Sequence, residues 1–531
     1  MKKSFLVFPL FYCLFPVLSL YASNVRELDI ACLISPLLMT LAGTIVLWAV
    51  SGLITRSVYK GGILVSFLFF VFFSYTYLEN LYCKFILHAD SVIDPSGVFA
   101  VWVVILVGGV FLIVRYGDRL ASAHTLLLIM SFGLIVMPAY RTISGQLSRM
   151  RYEHRLPSLS AASTRAESST LPNIYYIILD GHARSDTLRD LYGLDNSKFL
   201  NSLRKQGFQV ADRARSNYCQ TILSLASSLN MEHVRTLMIG KKPAGVDDRF
   251  PLVLLIRRNR VFSTLEKHGY TTVAFETDYE FANAEGANVF IRNAKSTSSF
   301  DTLLLDLTPL RLMSENNPVF SGYEKHRKVV STILGRLPST LDIKQPVAVF
   351  AHILVPHPPF VFNSDGTPHN PRKPFGLSDG ADFVKTRKSA SEYREGYSNQ
   401  VQFIDRKIEQ VVHTILRESH RPTIIILQGD HGPASHLDFE HPKVTGLKER
   451  SRILCAVKVP AESKIAIPSD ITPVNIFRII FRRYFDSSLR TIDNHTYYST
   501  FTHPYDLTDV TTIADGVGIS VDQGKPVNVI K

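Results

Sequence analysis

Residues 173–181 read NIYYIILDG, a run of β-branched and aromatic residues that stops at an Asp-Gly pair. The apolar side chains occupy successive positions instead of alternating with polar ones. This pattern is typical of a strand buried on both faces of a parallel sheet. The sequence therefore predicts a buried strand from Asn173 to Leu179, with Asp180 directly after its carboxyl end.

Similar apolar runs follow this strand along the chain, at residues 270–275, 347–353, 423–427 and 453–459. Apolar residues at helical spacing lie between them, most clearly over residues 187–205 and 392–416. Alternating strands and helices predict an α/β domain with a mostly parallel central sheet, which we place at residues 173–531. Ligands in such domains bind beyond the carboxyl ends of the strands.

Polar residues that can bind a metal or take part in catalysis follow three of these strands. Asp180 follows the first, His357 lies in a Pro-rich turn after residues 347–353, and Asp430 with His431 follows residues 423–427. A lone Asp-Gly pair is usually only a turn, so a site requires that these strand ends meet. Carboxylates combined with imidazole suit Zn or Mn better than Ca or Mg. We therefore predict a metal site at this edge of the sheet.

The chain before residue 140 has the composition of a membrane domain. A helix that crosses a bilayer needs about 20 apolar residues. Five stretches approach that length: 4–22, 30–54, 61–82, 98–114 and 122–140. The sequence therefore predicts an α-helical transmembrane bundle of about five helices at residues 1–140.

Basic residues near the ends of these stretches predict the orientation of the bundle: Lys2, Lys3, Arg56, Lys60, Arg115 and Arg119. Lys and Arg favour the cytoplasmic side, so residues after 140 are predicted to lie outside the cytoplasm, as a periplasmic domain anchored in the inner membrane. Cleavage of the first stretch as a signal peptide is an alternative, and it also leaves the domain outside. Residues 141–172 are predicted to be a basic juxtamembrane segment followed by a flexible linker.

Charge and cysteine content narrow the function classes. The net charge is +12 with a pI near 9.3, but no Lys/Arg run of the nucleic-acid-binding type occurs, and no obligate protein partner is evident. The charge suits anionic lipid headgroups or phosphorylated substrates, although a solvated basic surface is an equal alternative. Only Cys219 and Cys455 lie outside the membrane-type sequence, which excludes a disulfide framework.

Four segments together resemble the sulfatase/alkaline phosphatase superfamily: NIYYIILDGHARSDTL, SNYCQTILSLASSLNM, HILVPHPPF and LQGDHG. The resemblance is to its membrane-anchored bacterial branch, which includes lipoteichoic acid synthase and the phosphoethanolamine transferases. It covers residues 173 to about 485, and five spans before an extracytoplasmic domain also match that branch. The branch usually has several disulfides in its soluble domain, which two cysteines cannot provide.

The resemblance implies a role for individual residues. Asp180, Asp430 and His431 would bind one or two divalent metal ions, Zn or Mn being favoured, and Thr221 would be both a metal ligand and the nucleophile. His357 would contact the phosphate or protonate the leaving group. Three further histidines are weaker candidates for substrate contacts: His352, His436 and His182. A structural histidine within its strand is the favoured alternative for His352, and a surface-loop histidine is the favoured alternative for His436.

Two alternatives bear on the nucleophile. Thr221 precedes a helix-like stretch, so its hydroxyl could instead cap that helix, and the two roles are compatible. Cys219 is a rival nucleophile because sulfatases mature a cysteine or serine, but residues 219–223 lack the Pro and Arg of the C/S-x-P-S-R signature. Residues 363–390, which are polar and rich in Gly and Pro, are predicted to form an active-site loop that sets specificity.

These features favour one function over two others. The leading hypothesis is a transferase that moves a phospho-alcohol headgroup from a membrane phospholipid to an envelope glycan or lipid. The alternative is a membrane-anchored hydrolase of phosphate or sulfate esters that uses the same site. A catalytically dead domain for binding or sensing is disfavoured because the predicted ligands and the nucleophile are all present.

Overall fold

The computed structural model describes residues 7–25, 28, 30–85, 95–117, 119, 124–155, 171–240, 243, 245–293, 299–312, 321–344, 346–370, 375–387 and 389–515. The chain divides into two compact units. The first comprises Met1–Arg155 and Lys295–Ser321, and the second comprises Leu156–Ala294 and Gly322–Lys531. Lys2, Lys3 and residues 156–170 of the predicted linker lie outside the described residues.

All five predicted membrane stretches are helical in the first unit. The helices are α1 (Phe8–Ser23), α2 (Ala31–Thr55), α3 (Val58–Phe73), α4 (Tyr75–Phe85), α5 (Pro95–Tyr116) and α6 (His124–Arg155). Stretches of α2, α5 and α6 are each long and apolar enough to cross a membrane, and α3 with α4 forms a fourth candidate that bends by 53°. With 16 residues, α1 is shorter than a usual span. The number of helices that cross a membrane stays a prediction.

The last membrane-type helix extends well past the predicted boundary. α6 continues to Arg155, so residues 141–155, which were predicted as the basic juxtamembrane part of the linker, are helical. Several of them, including four Arg residues, Gln146, Leu147 and Met150, have a high helix propensity. Loss of apolar composition therefore marks where a helix leaves the hydrocarbon layer, not where it ends.

The remaining elements alternate as the sequence predicted. In chain order they are β1 (Asn173–Leu179), α7 (Ser185–Tyr192), α8 (Ser197–Lys205), β2 (Phe208–Val210), α9 (Thr221–Ser228), α10 (Val234–Leu237), α11 (Phe250–Arg257), α12 (Arg260–Lys267), β3 (Thr271–Phe275), β4 (Val289–Ile291), α13 (Ser299–Asp306), α14 (Gly322–Arg336), β5 (Val347–Ile353), α15 (Gly380–Arg387), α16 (Ala390–Glu418), β6 (Thr423–Gln428), α17 (Val444–Ser451), β7 (Cys455–Lys458), α18 (Pro473–Tyr484), β8 (Tyr497–Tyr498), β9 (Thr508–Asp509) and α19 (Thr511–Asp515). The predicted helix over 187–205 is two helices, because Gly193 adopts a left-handed conformation between them.

A seven-stranded sheet forms the centre of the second unit, with the order β2-β7-β6-β1-β5-β3-β4. β6, β1, β5, β3 and β4 run parallel, whereas β7 is antiparallel to both of its neighbours. All seven residues of β1 are buried, and alternate residues enter separate hydrophobic cores on the two faces of the sheet. The predicted α/β fold with a mostly parallel sheet is therefore confirmed.

One segment of the second half of the chain belongs to the first unit. Phe300 in α13 is fully buried, and its ring contacts that of Tyr21 edge-on with centroids 5.9 Å apart. Arg311 donates from Nη2 to both carboxylate oxygens of Glu79 at 2.5 Å. The predicted domain at 173–531 is therefore interrupted at residues 295–321, which the apolar runs alone did not reveal.

Candidate active site

Three neighbouring parallel strands bring the predicted residues to one edge of the sheet. β1 lies between β5 and β6, and Ile178 is in register with both His352 and Gln428. Asp180 and Asp430 each lie two residues beyond that level. The strand-end rule therefore correctly places the two carboxylates beside each other.

Both carboxylates are buried, and each has one oxygen without a partner. Asp180 Oδ2 accepts a hydrogen bond from His352 Nε2 at 2.9 Å, and Asp430 Oδ1 accepts one from the Gly181 backbone N–H at 3.1 Å. Asp180 Oδ1 and Asp430 Oδ2 have no hydrogen-bond partner among the described residues. Burial opposes ionisation of Asp180, but the charge of His357 and the hydrogen bond from His352 lower the pKa of this carboxyl below its usual range.

His431 presents an electron pair to the same carboxylates. Its Nδ1–H donates to the Gly432 carbonyl at 3.0 Å, which leaves the lone pair on Nε2. Nε2 lies 3.2 Å from Asp430 Oδ2 and 3.7 Å from Asp180 Oδ1. Burial and the charge of Arg450 lower the pKa of His431, so the ring is neutral at physiological pH.

These donors fit a divalent cation. Potential ligand atoms of Asp180, His352 and Asp430 lie within 4.8 Å of one another, and His431 Nε2 borders the same oxygens. Buried carboxylate oxygens without a partner are costly unless a positive charge is near. Two carboxylates with two imidazoles are a donor set that suits Zn or Mn. His352, predicted only as a weak substrate contact, thus joins the metal-type cluster.

Thr221 is the first residue of α9, and its hydroxyl faces this cluster. Its Oγ1 lies 2.9 Å from His431 Nε2. The capping position belongs to Gln220, and no side chain caps the helix. The alternative that Thr221 serves only as a helix cap is therefore not what the structure shows.

Cys219 is buried away from this chemistry. Its side chain packs in a small hydrophobic core with Ala434, Leu437 and Phe439. Burial raises the pKa of the thiol to about 12, which keeps it protonated and unreactive. The burial of this thiol therefore does not support Cys219 as the rival nucleophile.

His357 reaches the rim of the cluster from the turn after β5. Its backbone N–H donates to the Asp180 carbonyl at 3.0 Å, and its ring centroid lies 6.3 Å from that of His431. Nε2 lies 3.5 Å from Asp379 Oδ2. The imidazole is therefore close enough to serve a group bound between it and Thr221.

Two site residues were not predicted. Arg450, in the last turn of α17, is buried and donates from Nη1 to Asp379 Oδ2 at 2.6 Å and from Nη2 to His431 Nε2 at 3.0 Å. Asp379 also accepts from the Tyr393 hydroxyl at 2.7 Å. Burial opposes ionisation of Asp379, but the Arg450 charge lowers the pKa of this carboxyl. Asp379 lies within the predicted active-site loop at 363–390, and that was the only sequence signal for either residue.

The other two candidate histidines lie elsewhere. His182 is fully buried, and its ring nitrogens contact Asp405 Oδ1 at 2.8 Å and the Ala183 carbonyl at 2.9 Å. A ring so enclosed does not support the predicted substrate contact. His436 is partly exposed and lies 3.4 Å from Glu449, so it does not join the carboxylate cluster either.

Comparison with known proteins places the chain in a family. Residues 172–451, more than half of the chain, match the family described as Sulfatase. No curated protein matches significantly.

Solved structures with a similar fold include three envelope proteins. The integral membrane lipooligosaccharide phosphoethanolamine transferase A of Neisseria meningitidis is 11% identical, covering 90% of this chain and 95% of its own, with a TM-score of 0.41. The periplasmic domain of EptC from Escherichia coli, solved with Zn, is 11% identical over 68% of this chain and 98% of its own, with a TM-score of 0.43. The lipoteichoic acid synthase LtaP of Listeria monocytogenes is 14% identical over 66% of this chain and 81% of its own, with a TM-score of 0.36. These likenesses are too distant to transfer an activity. The family match shows membership alone: the chain belongs to the sulfatase family of enzymes, in the sulfatase/alkaline phosphatase superfamily.

Proposed function

We propose that this protein is a metal-dependent transferase that moves a phospho-alcohol headgroup from a membrane phospholipid to an envelope glycan or lipid through a phospho-threonine intermediate. The observation that supports it most directly is the position of Thr221, whose Oγ1 is 2.9 Å from His431 Nε2 beside two buried carboxylates. A hydroxyl is a weak nucleophile unless its surroundings stabilise the alkoxide. A cation held by the neighbouring carboxylates would supply that stabilisation to Thr221.

Asp180, Asp430, His431 and His352 would hold the cation, Zn or Mn being favoured. Bound there, a divalent ion supplies a Lewis acid that withdraws charge from phosphoryl oxygens and favours an alkoxide. The chain's own residues orient the reacting groups. Thr221 opens α9, and the N–H groups of a first helical turn favour an approaching anion.

The transfer step is a displacement at phosphorus. A bond forms between Thr221 Oγ1 and phosphorus while the bond from phosphorus to the lipid oxygen breaks. Thr221 gives its hydroxyl proton to water, and His357 gives a proton to the departing lipid alcohol, which leaves as diacylglycerol. The acceptor alcohol then attacks phosphorus and gives its proton to His357, while the bond from phosphorus to Thr221 Oγ1 breaks and Thr221 regains a proton from water.

Membrane location supports a lipid donor. The described helices include three that are long and apolar enough to cross a bilayer, which is more than a simple tether requires. The basic residues at their ends favour a domain outside the cytoplasm. Alkaline phosphatase and fluorescent-protein fusions at residue 172 test this orientation: phosphatase activity is expected, and fluorescence without phosphatase activity would reverse it.

The runner-up function is hydrolysis of phosphate or sulfate esters at the same site. It is favoured by the family match itself, since sulfatases hydrolyse esters. The two functions differ only in the second step, in which either an acceptor alcohol or water attacks the group bound to Thr221. Residues 219–223 lack the maturation signature for a sulfate-cleaving residue, which favours phosphate chemistry.

Incubation of the purified full-length protein with phospholipid micelles and Mn²⁺ distinguishes these functions. A transferase releases diacylglycerol and leaves the headgroup on the protein until an acceptor is added, so peptide mass spectrometry should locate a phospho-headgroup adduct between Ser216 and Met231. A hydrolase releases free phospho-alcohol steadily without an acceptor. Diacylglycerol formation without any adduct on this peptide would contradict the threonine mechanism.

A further inference from the structure

The guanidinium of Arg450 makes four described hydrogen bonds at the site, and the mechanism above does not use it. Its side chain is 3% exposed. Nε donates to the Cys219 carbonyl at 2.9 Å, and Nη1 donates to Asp379 Oδ2 at 2.6 Å and to the Gly432 carbonyl at 3.0 Å. These bonds fix the guanidinium from one side. Nη2 is left directed at His431 Nε2, 3.0 Å away.

His431 Nε2 has more potential partners than it can serve. Because Nδ1 carries the proton that goes to Gly432, Nε2 has the ring's single available lone pair. Both the Thr221 hydroxyl and Arg450 Nη2 lie within 3.0 Å of it. A cation bound to this nitrogen takes the same lone pair. Arg450 then has a buried, charged N–H group without an acceptor, which is unfavourable until another acceptor arrives.

We propose that Arg450 is the anion-binding residue of the site, and that its Nη2 turns from His431 to a phosphoryl oxygen when a cation occupies His431. The planar guanidinium suits a phosphate, to which it can present two parallel N–H groups. Asp379 is the positioning residue that holds the guanidinium in place. Cation and oxyanion therefore bind with positive coupling, and each raises the affinity of the other. This inference rests on the metal site of the proposed function, but not on the identity of the lipid donor.

Isothermal titration of full-length protein in detergent, with inorganic phosphate and Mn²⁺ as the probes, tests the coupling. In the wild type, saturating Mn²⁺ should raise phosphate affinity. In Arg450→Gln, phosphate affinity at saturating Mn²⁺ should fall at least about tenfold, because the guanidinium donors are lost.

The sign of a second effect separates this role from a structural one. Without phosphate, Arg450→Gln should bind Mn²⁺ as tightly as the wild type or more tightly, because no guanidinium N–H competes for the His431 lone pair and no neighbouring positive charge repels the ion. A residue that merely supports the fold would lower the affinity for both ligands when replaced. Arg452→Gln is the matched control, since Arg452 pairs with Asp186 at 3.1 Å, and it should change neither affinity.

Arg450→Gln leaves Asp379 buried without its partner, so the double variant Arg450→Gln with Asp379→Asn provides a neutral version of the pair. It should show the same loss of phosphate affinity. Phosphate binding at wild-type strength in either variant at saturating Mn²⁺ would overturn the assignment of Arg450 alone. Failure of the wild type to bind Mn²⁺ would overturn the metal site, and with it the coupling.

Discussion

Each of the two units pairs an arginine with a buried carboxylate, and the two pairs lie in different surroundings. In the first unit, Arg311 Nη2 donates to both carboxylate oxygens of Glu79. In the second, Arg450 divides its bonds among Asp379, two carbonyls and His431. Arg450 shares the His431 nitrogen with the Thr221 hydroxyl, which fits a functional role, whereas we expect a structural role for the pair in the first unit.

The largest expected effect is a loss of activity in the active site, which contains the second pair and Thr221. Thr221→Ala should reduce turnover by at least about a thousandfold, because no hydroxyl remains to displace the lipid alcohol. Diacylglycerol release from phospholipid micelles measures the loss. Cys219→Ser is the matched control two residues earlier and should largely retain activity. Activity retained in Thr221→Ala but lost in Cys219→Ser would point to a cysteine route instead.

The next effect concerns the stability of the first pair. Glu79→Ala or Arg311→Ala should each lower the free energy of unfolding by about 3–5 kcal/mol, because each removes one half of an ion pair in which the carboxylate is buried. The double replacement Glu79→Met with Arg311→Met should recover most of that loss. Denaturant unfolding of the purified protein in detergent measures both. Single variants as stable as the wild type would show that this pair contributes little, and Mn²⁺ binding should be unchanged throughout.

Replacing the predicted metal ligands should weaken Mn²⁺ binding, whereas replacing Glu79 or Arg311 should lower stability and leave Mn²⁺ binding unchanged. Asp430→Ala and His431→Ala should each weaken Mn²⁺ binding by about a hundredfold or more, since each removes a donor atom. Elemental analysis of the purified full-length variants tests this, with Asp186→Ala as a partly buried carboxylate control outside the cluster. Undiminished metal content in both ligand variants would refute the site.

The smallest effect comes from a third pair of intermediate exposure. The Glu449 carboxylate, which accepts a hydrogen bond from the protonated ring, raises the pKa of His436 above its usual 6.5. The pair therefore stabilises the fold fully below pH 6.5, and this contribution is lost as the pH rises through the raised pKa. The difference in melting temperature between the wild type and His436→Gln should be positive near pH 6 and vanish near pH 9. A difference that is the same at both values would exclude the linkage.

The sequence predicted the parts of the site that follow strands. Asp180 and Asp430 could be placed together because parallel strands end at one edge of a sheet, which is a local rule applied twice. Arg450 and Asp379 are 71 residues apart, and each lies in an ordinary-looking segment. Their contact depends on how α17 and the loop before α15 pack, and neither periodicity nor turn chemistry encodes that.

The membrane half shows the same limit. Hydropathy located all five helical stretches because contact with hydrocarbon selects composition directly. It did not locate the end of α6, because backbone hydrogen bonds continue the helix to Arg155, beyond the apolar residues that hydropathy detects. It also missed α13, whose eight residues include Phe300 and Leu304 but are too few to register as a membrane element.

The return of residues 299–312 to the first unit bears on how this protein can be handled in the laboratory. A fragment cut at residue 171 would keep this segment and lose the helices that cover it. Phe300 and Leu304 would then face water, and Arg311 would lose Glu79. Such a fragment should be prone to aggregation and to proteolysis between residues 294 and 321, and replacing that stretch with a short Gly/Ser loop should improve its yield.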